Sequence, residues 1–463
     1  MLHLFQLFLP YILAAFFVYK GLKEPLYLLG IPFLIFMGNS IFFDHAKLFH
    51  NPGSLGDQLL FLIWLFALWI LSETIPVNRK NTIEIGQTRL NIPLLCIICL
   101  TIITVINFVS IVFSYPIQTD IFKQFVNDVS LFIGYYIIKN WSSKNDPEVI
   151  KNFLYTIVVI NTIAAILFIL HQGFHFKIYQ EEEYFTQIIN GQEITRSFTF
   201  MPQFLFFSII YILIFTKKYS FIAIGILMIN LLAIFISYTR SSIINVGIVF
   251  LLYFFFIALK KRNFKIIFKK LTFSIVLAIS IILLVSKFLP ANTKYIMDRF
   301  SEISLESSKK TEPTDMQYRF ANSAAVISKL PGNKKMFGMG SVTKAQTPEV
   351  IQMQETTADM VWPGVIYRWG FAGLILFILI YLFSSINAFN FYFRTEGILS
   401  DFSLLFLIYI ISQFVESFVS WTFLSAHGSV TGLWYFAILS SILKFKKASF
   451  NNNERLESIK YIS

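Results

Sequence analysis

Cysteine is almost missing from this chain, with two residues, Cys96 and Cys99, among 463. They sit three apart in an apolar run, with no second pair and no flanking histidine. That excludes a disulfide framework and argues against zinc or haem attachment. Histidine is scarce as well, six residues in all. His171 and His175 stand four apart, but nothing adjacent completes a metal site. No Asp-x-Asp pair is present to hold a metal–nucleotide sugar. No Gly-rich loop ending in Lys-Ser/Thr follows a strand, so nucleotide binding has no support. The Glu181-Glu182-Glu183 run reads as a solvated loop segment. No metal and no cofactor is expected. Also lacking are an internal repeat, a low-complexity domain, a basic n-region and a small-residue cleavage site. Met1 onward is therefore expected to be a first membrane span and not a cleaved signal.

What is present is apolar. Hydrophobic residues make up 56% of the chain and charged ones 14%. A soluble domain of this size has no room to bury so much apolar surface. Repeated apolar runs of about 20 residues mean membrane-spanning helices. The expected fold is an all-α polytopic membrane protein of about 12–13 transmembrane helices, with one large periplasmic loop carrying short amphipathic helices. The predicted spans are 2–19, 25–43, 58–75, 90–113, 121–138, 150–170, 201–215, 219–237, 241–259, 271–289, 362–383, 400–424 and 427–445. The chain then divides into residues 1–289 with the first ten spans, the loop 290–361, the last three spans at 362–445, and a tail at 446–463.

A net charge of +12 raises the question of nucleic acid, but the lysines lie in short loops between apolar runs. Helix orientation explains them, and no nucleic-acid partner is expected. The basic loops are Lys20/Lys23, Arg79/Lys80/Arg89, Lys139/Lys144/Lys151, Lys217/Lys218, the cluster from Lys260 to Lys270, Arg394 and the tail. Every second loop is basic, as thirteen spans and the positive-inside rule require. The N-terminus is then expected outside, in the periplasm, and the C-terminus in the cytoplasm.

Two long loops fall outside, at 171–200 and 290–361. Long connections in a compact membrane protein are usually functional. Within the second, 292–308 and 315–330 carry apolar residues at helical spacing and are expected to lie on the membrane surface.

The outer side also holds three arginines. Arg240 sits in the hinge Ser237-Tyr238-Thr239-Arg240-Ser241-Ser242 between two spans. Short outward loops usually lack arginine, so a cation here calls for an anionic partner. Arg196 precedes the span that starts near Pro202, and Arg319 lies on the second loop helix. A guanidinium offers a planar fork of donors matched to phosphate oxygens, and three near one interface can hold a pyrophosphate. The alternatives are an Arg319–Asp315 helix pair, a snorkelling Arg196 and structural pairing of Arg240.

Further on, Gly338-Met339-Gly340 forms a Gly-rich turn that lets backbone approach a ligand closely. Asp359 is a carboxylate at the outer surface, able to take a proton from a sugar hydroxyl or to cap a helix. Arg368 lies about two turns inside its span, and Glu416, beside Gln413 and Ser417, lies in the next. Charges there are costly and often functional. A structural Arg368–Glu416 pair is the competing expectation.

These segments, in this order, resemble the O-antigen polymerase and ligase superfamily of bacterial inner membranes. The shared pattern is Arg196 before Pro202, the Thr239-Arg240-Ser241-Ser242 hinge, and a loop carrying Arg319, Pro331 and Gly338-Met339-Gly340. It continues with Asp359 and Gly370-Phe371-Ala372-Gly373 at the next span. The resemblance covers roughly 150–385. Asp359 stands where family ligases usually carry histidine, which favours a polymerase. Thr199 stands where glycine is common, and Arg368 where an acid is common.

The resemblance implies a metal-independent, C-type glycosyltransferase of the inner membrane. Its substrate would be an undecaprenyl-pyrophosphate-linked oligosaccharide, with membrane lipids and a chain-length regulator as further partners. Arg196, Arg240 and Arg319 would hold the pyrophosphate. Asp359 would be the base, Arg240 would act in catalysis, and Glu416 would be the second choice of base. Arg368, Gly338 and Gly340 are secondary candidates. The rival readings are a ligase that moves glycan to lipid A core or protein, and a polysaccharide flippase or transporter. Transporters tend to show pseudo-symmetric halves, whereas one large loop breaks the symmetry here.

Overall fold

In hydrocarbon, each backbone N–H and C=O must find its partner inside its own segment, so long apolar runs fold as helices. A computed structural model of the chain describes residues 2–36, 55–74, 92–114, 119–174, 185–189, 192–196, 202–216, 220–237, 239–263, 327–340, 361–418 and 429–443. It also describes Phe176 and isolated residues between 265 and 325. Helix α1 (Leu2–Gly21) leads through a 3-10 turn, Pro25–Leu29, into α2 (Gly30–Phe36). Helices α3 (Leu55–Thr74), α4 (Ile92–Ser114), α5 (Thr119–Ser142) and α6 (Pro147–Phe174) follow, then strands β1 (Phe185–Ile189) and β2 (Gln192–Arg196). The chain continues with α7 (Pro202–Phe215), α8 (Phe221–Ile236), α9 (Arg240–Lys261), α10 (Gly332–Phe337), α11 (Val361–Arg394), α12 (Gly397–Glu416) and α13 (Ser429–Ile442).

This is a multi-pass membrane protein built of helices. Among the described residues, five helices are long and apolar enough to cross a bilayer: Ile92–Ser114, Pro147–His171, Ser241–Lys261, Trp362–Arg394 and Gly397–Glu416. Helix is found at each predicted span except 271–289, most of which lies outside the described residues. Helix α11 runs on to Arg394, past its predicted end. Helix α12 stops at Glu416, short of the predicted 424. The surface stretches expected at 292–308 and 315–330 lie largely outside the described residues.

The purely helical expectation missed one element. Strands β1 and β2 pair antiparallel in the loop after α6, with Ile189 opposite Gln192 and Phe185 opposite Arg196. The two residues between the strands are Asn190-Gly191, the dipeptide most favoured in a tight hairpin.

Two helices occupy the centre. Side chains are buried without a break along Phe204–Leu213 of α7 and Phe402–Ile410 of α12. A helix that is apolar all round has to be surrounded, and α12 packs against α7, α9, α11 and α13. Outer helices keep a lipid-ready face: Leu95, Ile98, Ile102, Val105, Ile106 and Val109 of α4 are exposed. Polar bonds fix helix register in the interior. The Asn161 amide of α6 donates to Ser208 Oγ of α7 and to Tyr435 Oη of α13, both at 3.0 Å. Such bonds hold where the hydrophobic effect gives no drive between helices.

The basic loops meet at one end of the bundle. Lys144, in the α5–α6 turn, donates to the Ser72 carbonyl and to Glu73 Oε1 at the end of α3. Tyr211 of α7 donates to the Lys151 carbonyl at the start of α6. Tyr253 of α9 donates to the Leu213 carbonyl of α7. Lys260, near the end of α9, donates to the Tyr392 and Thr395 carbonyls and to Ser400 Oγ, tying α9 to the α11–α12 turn. Helices α9 and α12 are therefore antiparallel neighbours. The start of α9 and the end of α12 meet at the opposite end.

Candidate functional site

Two groups of buried polar side chains lie away from the basic end. The first joins the start of α9 to the end of α12. Arg240 is the first residue of α9, and its cap residue Thr239 makes no side-chain cap bond. The positive end of the helix dipole and unpaired first-turn N–H groups make this position favourable for negative charge. Glu416 takes advantage of it. Its carboxylate is almost fully buried. Asn245 Nδ2 donates to its Oε2 at 3.0 Å, and Ser241 Oγ to its Oε1 at 3.4 Å. Ser241 and Asn245 stand four apart, one above the other on α9. Asn245 Nδ2 also donates to the Ser412 carbonyl of α12 at 3.2 Å.

On the neighbouring turns of α9 and α12, and at the start of α11, several polar atoms are buried with no hydrogen-bond partner among the described residues. They are both amide atoms of Gln413, Ser242 Oγ, Asn245 Oδ1 and Trp362 Nε1. Gln413 and Ser242 are completely buried. The Trp362 ring packs on Phe414 and Phe418, which flank Glu416 in the chain, at 5.7 and 5.5 Å between centroids.

The second group joins α4, α5, α10 and α11. Arg368 Nη1 pairs with Asp128 Oδ1 of α5 at 3.2 Å, with both side chains mostly buried. The competing expectation of an Arg368–Glu416 pair is therefore corrected: each has its own partner, on α5 and on α9. Just beyond Arg368 the helix breaks. Gly370 takes φ 67° and ψ −168° inside α11, a combination open essentially to glycine alone. The segment after α10 crosses at that break. Met339 N–H donates to the Tyr367 carbonyl at 2.7 Å, and Gly340 N–H to the Arg368 carbonyl at 3.0 Å. Asn107 of α4 closes the crossing, its Nδ2 donating to the Phe337 carbonyl at 2.7 Å and to the Arg368 carbonyl at 3.3 Å. Gly338 and Gly340, expected to bring backbone close to a ligand, bring it close to α11 and α4. A Cβ on Gly338 would stand 2.2 Å from the Arg368 carbonyl oxygen, and one on Gly340 2.8 Å from the Asn107 Cβ.

The ion pair yields a stability prediction. Arg368→Met removes the cation paired with the buried Asp128 carboxylate and is expected to cost about 3–5 kcal/mol. Removing both charges, Arg368→Met with Asp128→Leu, should recover most of that loss. Thermal unfolding of the purified variants in detergent measures both. A double variant no better than the single one would deny the pair its importance.

Of the predicted site residues, the structure places Glu416, Arg368, Gly338 and Gly340 as described above. Arg196 ends β2 and Arg240 begins α9; their side chains lie outside the described residues. Arg319 and Asp359 lie outside them entirely. Sequence reasoning passed over Asn107, Asp128 and Asn245. Each is a polar residue inside a predicted span, which was signal enough to single it out.

Residues 223–378 match the Wzy_C family model, described as O-Antigen ligase. The matched stretch runs from α8 through the Arg240 hinge and the large loop to the middle of α11. No match to a curated protein is found. Over residues 223–378 the chain is therefore similar to the O-antigen ligase family, consistent with the O-antigen polymerase and ligase superfamily.

Proposed function

We propose that the protein polymerises undecaprenyl-pyrophosphate-linked oligosaccharide repeats into O-antigen or capsular polysaccharide on the periplasmic face of the bacterial inner membrane. The observation that carries this reading is the family match spanning Arg240 and the large loop. The polar meeting point of α9 and α12, away from the basic end, supports it. With the basic end in the cytoplasm, that meeting point lies in the outer half of the membrane. Lipid-linked donors are available there, and nucleotide sugars are not.

In the reaction, an acceptor sugar hydroxyl attacks the anomeric carbon of the donor. The bond from that carbon to the pyrophosphate oxygen breaks, and undecaprenyl pyrophosphate leaves. Arg196, Arg240 and Arg319 hold the charge that develops on the leaving oxygens, a role that metals fill elsewhere. Asp359 takes the hydroxyl proton, with Glu416 as second choice. The acceptor is another lipid-linked repeat, and a chain-length regulator is a natural partner.

The second reading, favoured by the description of the matched family, is a ligase that makes a single transfer to lipid A core or to protein. Purified protein supplied with lipid-linked repeats separates the two. A ladder of products is expected. One-step transfer to an added lipid or protein acceptor would establish the ligase, and no covalent product at all would favour transport.

A further inference from the structure

Helix α12 carries a completely buried amide, Gln413, neither polar atom of which has a hydrogen-bond partner among the described residues. A buried, unpaired amide costs about 1–3 kcal/mol, and native proteins rarely leave one without a reason. Gln413 does not stand alone. One turn later comes Glu416, a buried carboxylate held by two α9 side chains. On the first turns of α9, Ser242 Oγ and Asn245 Oδ1 are both buried and likewise without partners among the described residues. Trp362 Nε1 is a fifth such atom, on a ring packed against the residues that flank Glu416.

The chemistry of this set is specific. It offers two donor N–H groups, several acceptor oxygens, a hydroxyl that can act either way, and an aromatic ring. It includes a carboxylate, and Arg240 lies one residue before Ser241. A carboxylate repels phosphate oxygens but accepts readily from a hydroxyl. Neighbouring hydroxyls that donate and accept in pairs are what an amide matches with its oxygen and nitrogen. Along α9, Asn245 lies about 7.5 Å from Arg240 at 1.5 Å per residue.

We propose that the buried polar faces of α9 and α12 form a sugar-hydroxyl subsite, in which the Gln413 amide binds a glycosyl residue and Ser242, Asn245 and Glu416 take its remaining hydroxyls. The proposal rests on the transferase reading above and assigns the part of that site that reads sugar instead of phosphate. Gln413 is a positioning residue in it. The glycosyl residue belongs either to the donor, next to its pyrophosphate, or to the acceptor.

The test uses the full-length protein in nanodiscs, with two probes. One is the free oligosaccharide released by mild acid from the cell's own lipid-linked repeat; the other is undecaprenyl pyrophosphate without sugar. Gln413→Leu is expected to weaken binding of the free oligosaccharide about 10-fold, from the loss of amide hydrogen bonds. Binding of undecaprenyl pyrophosphate should be unchanged. Gln413→Leu should also raise the thermal midpoint of the sugar-free protein, because an unsatisfied buried amide has been removed. A structural role would move that midpoint down. Gln413→Asn, which keeps the amide on a shorter stem, should retain part of the oligosaccharide affinity.

Transfer kinetics then assign the source. A raised KM for the donor at fixed acceptor marks the donor sugar, and the converse marks the acceptor. Unchanged oligosaccharide binding in Gln413→Leu, or a lowered midpoint, would overturn the subsite. Loss of undecaprenyl pyrophosphate binding instead would turn it into a phosphate site. Failure to form glycan from any substrate refutes the transferase reading separately, because sugar binding and the midpoint are read without turnover.

Discussion

Arg240→Lys is expected to abolish glycan elongation while the protein accumulates at its normal level. Lysine keeps the charge but replaces a planar five-donor fork with a point charge on a flexible stem. If Arg240 holds leaving-group oxygens, the loss falls on the transition state, where removing one aligned donor costs on the order of 10²–10³ in rate. The change is mild for the helix backbone. Arg240 opens α9 at the end of the bundle where the helix dipole is positive, and lysine propagates a helix about as well as arginine. Gel analysis of glycan length beside an immunoblot of the protein measures both halves of the expectation. Full-length glycan from the lysine variant would remove Arg240 from pyrophosphate binding.

The largest structural effect is expected from Gly370→Ala. Two penalties coincide there. The backbone at φ 67°, ψ −168° costs a residue with a Cβ about 1–3 kcal/mol. The added Cβ would also sit 2.2 Å from the Met336 carbonyl oxygen and 2.5 Å from the Phe337 nitrogen. These are backbone atoms tied down by the Met339, Gly340 and Asn107 bonds, so they have little freedom to retreat. The crossing of the loop over α11 should come apart. The variant should unfold several degrees below wild type, or fail to accumulate. Gly225→Ala provides the control. Nothing stands within 4 Å of a Cβ there, and in the interior of helix α8 alanine is favoured over glycine by about 1 kcal/mol. Equal stability of the two variants, read by thermal unfolding in detergent, would mean that the crossing carries no weight.

How far the sequence reaches differs by level. Apolar runs and the alternation of basic loops were enough to locate α3 to α9, because hydropathy over about 20 residues is a local property. The same alternation anticipated that Lys144, Lys151 and Lys260 would share one end, as the bonds around Ser72, Leu213 and Tyr392 now show. The hairpin was legible but went unread: Asn190-Gly191 lies between two short runs that carry strand-favouring residues, Phe185, Thr186, Ile188 and Ile189 before it and Ile194 and Thr195 after it. The expected extent of α11 was too short because the polar stretch Ser384-Ser385-Ile386-Asn387 looks like an ending. In the structure Ser384 is buried and the helix continues.

Partner choice was the part beyond reach. Arg368 was recognised as a charge that needs an answer, but its answer is Asp128, 240 positions earlier in the chain. Only the packing of α4 between α5 and α11 brings the two together. The glycines show the same limit. Gly338-Met339-Gly340 announces a close approach, but not what is approached. Gln413 and Asn245 were each visible as polar residues in apolar spans, yet their place about one carboxylate depends on α9 lying antiparallel to α12.

The central claim is that cationic segments far apart in the chain converge on one pyrophosphate at the periplasmic side. The most direct measurement replaces Cys96 and Cys99, then introduces Ser197→Cys, Thr239→Cys and Phe320→Cys one at a time, each beside one of the three arginines. A membrane-impermeant thiol reagent is applied to intact inner-membrane spheroplasts, with and without undecaprenyl pyrophosphate. All three cysteines should react from the periplasmic side, and the lipid pyrophosphate should protect all three. Labelling only after the cytoplasmic face is opened, or protection of one position without the others, would contradict it.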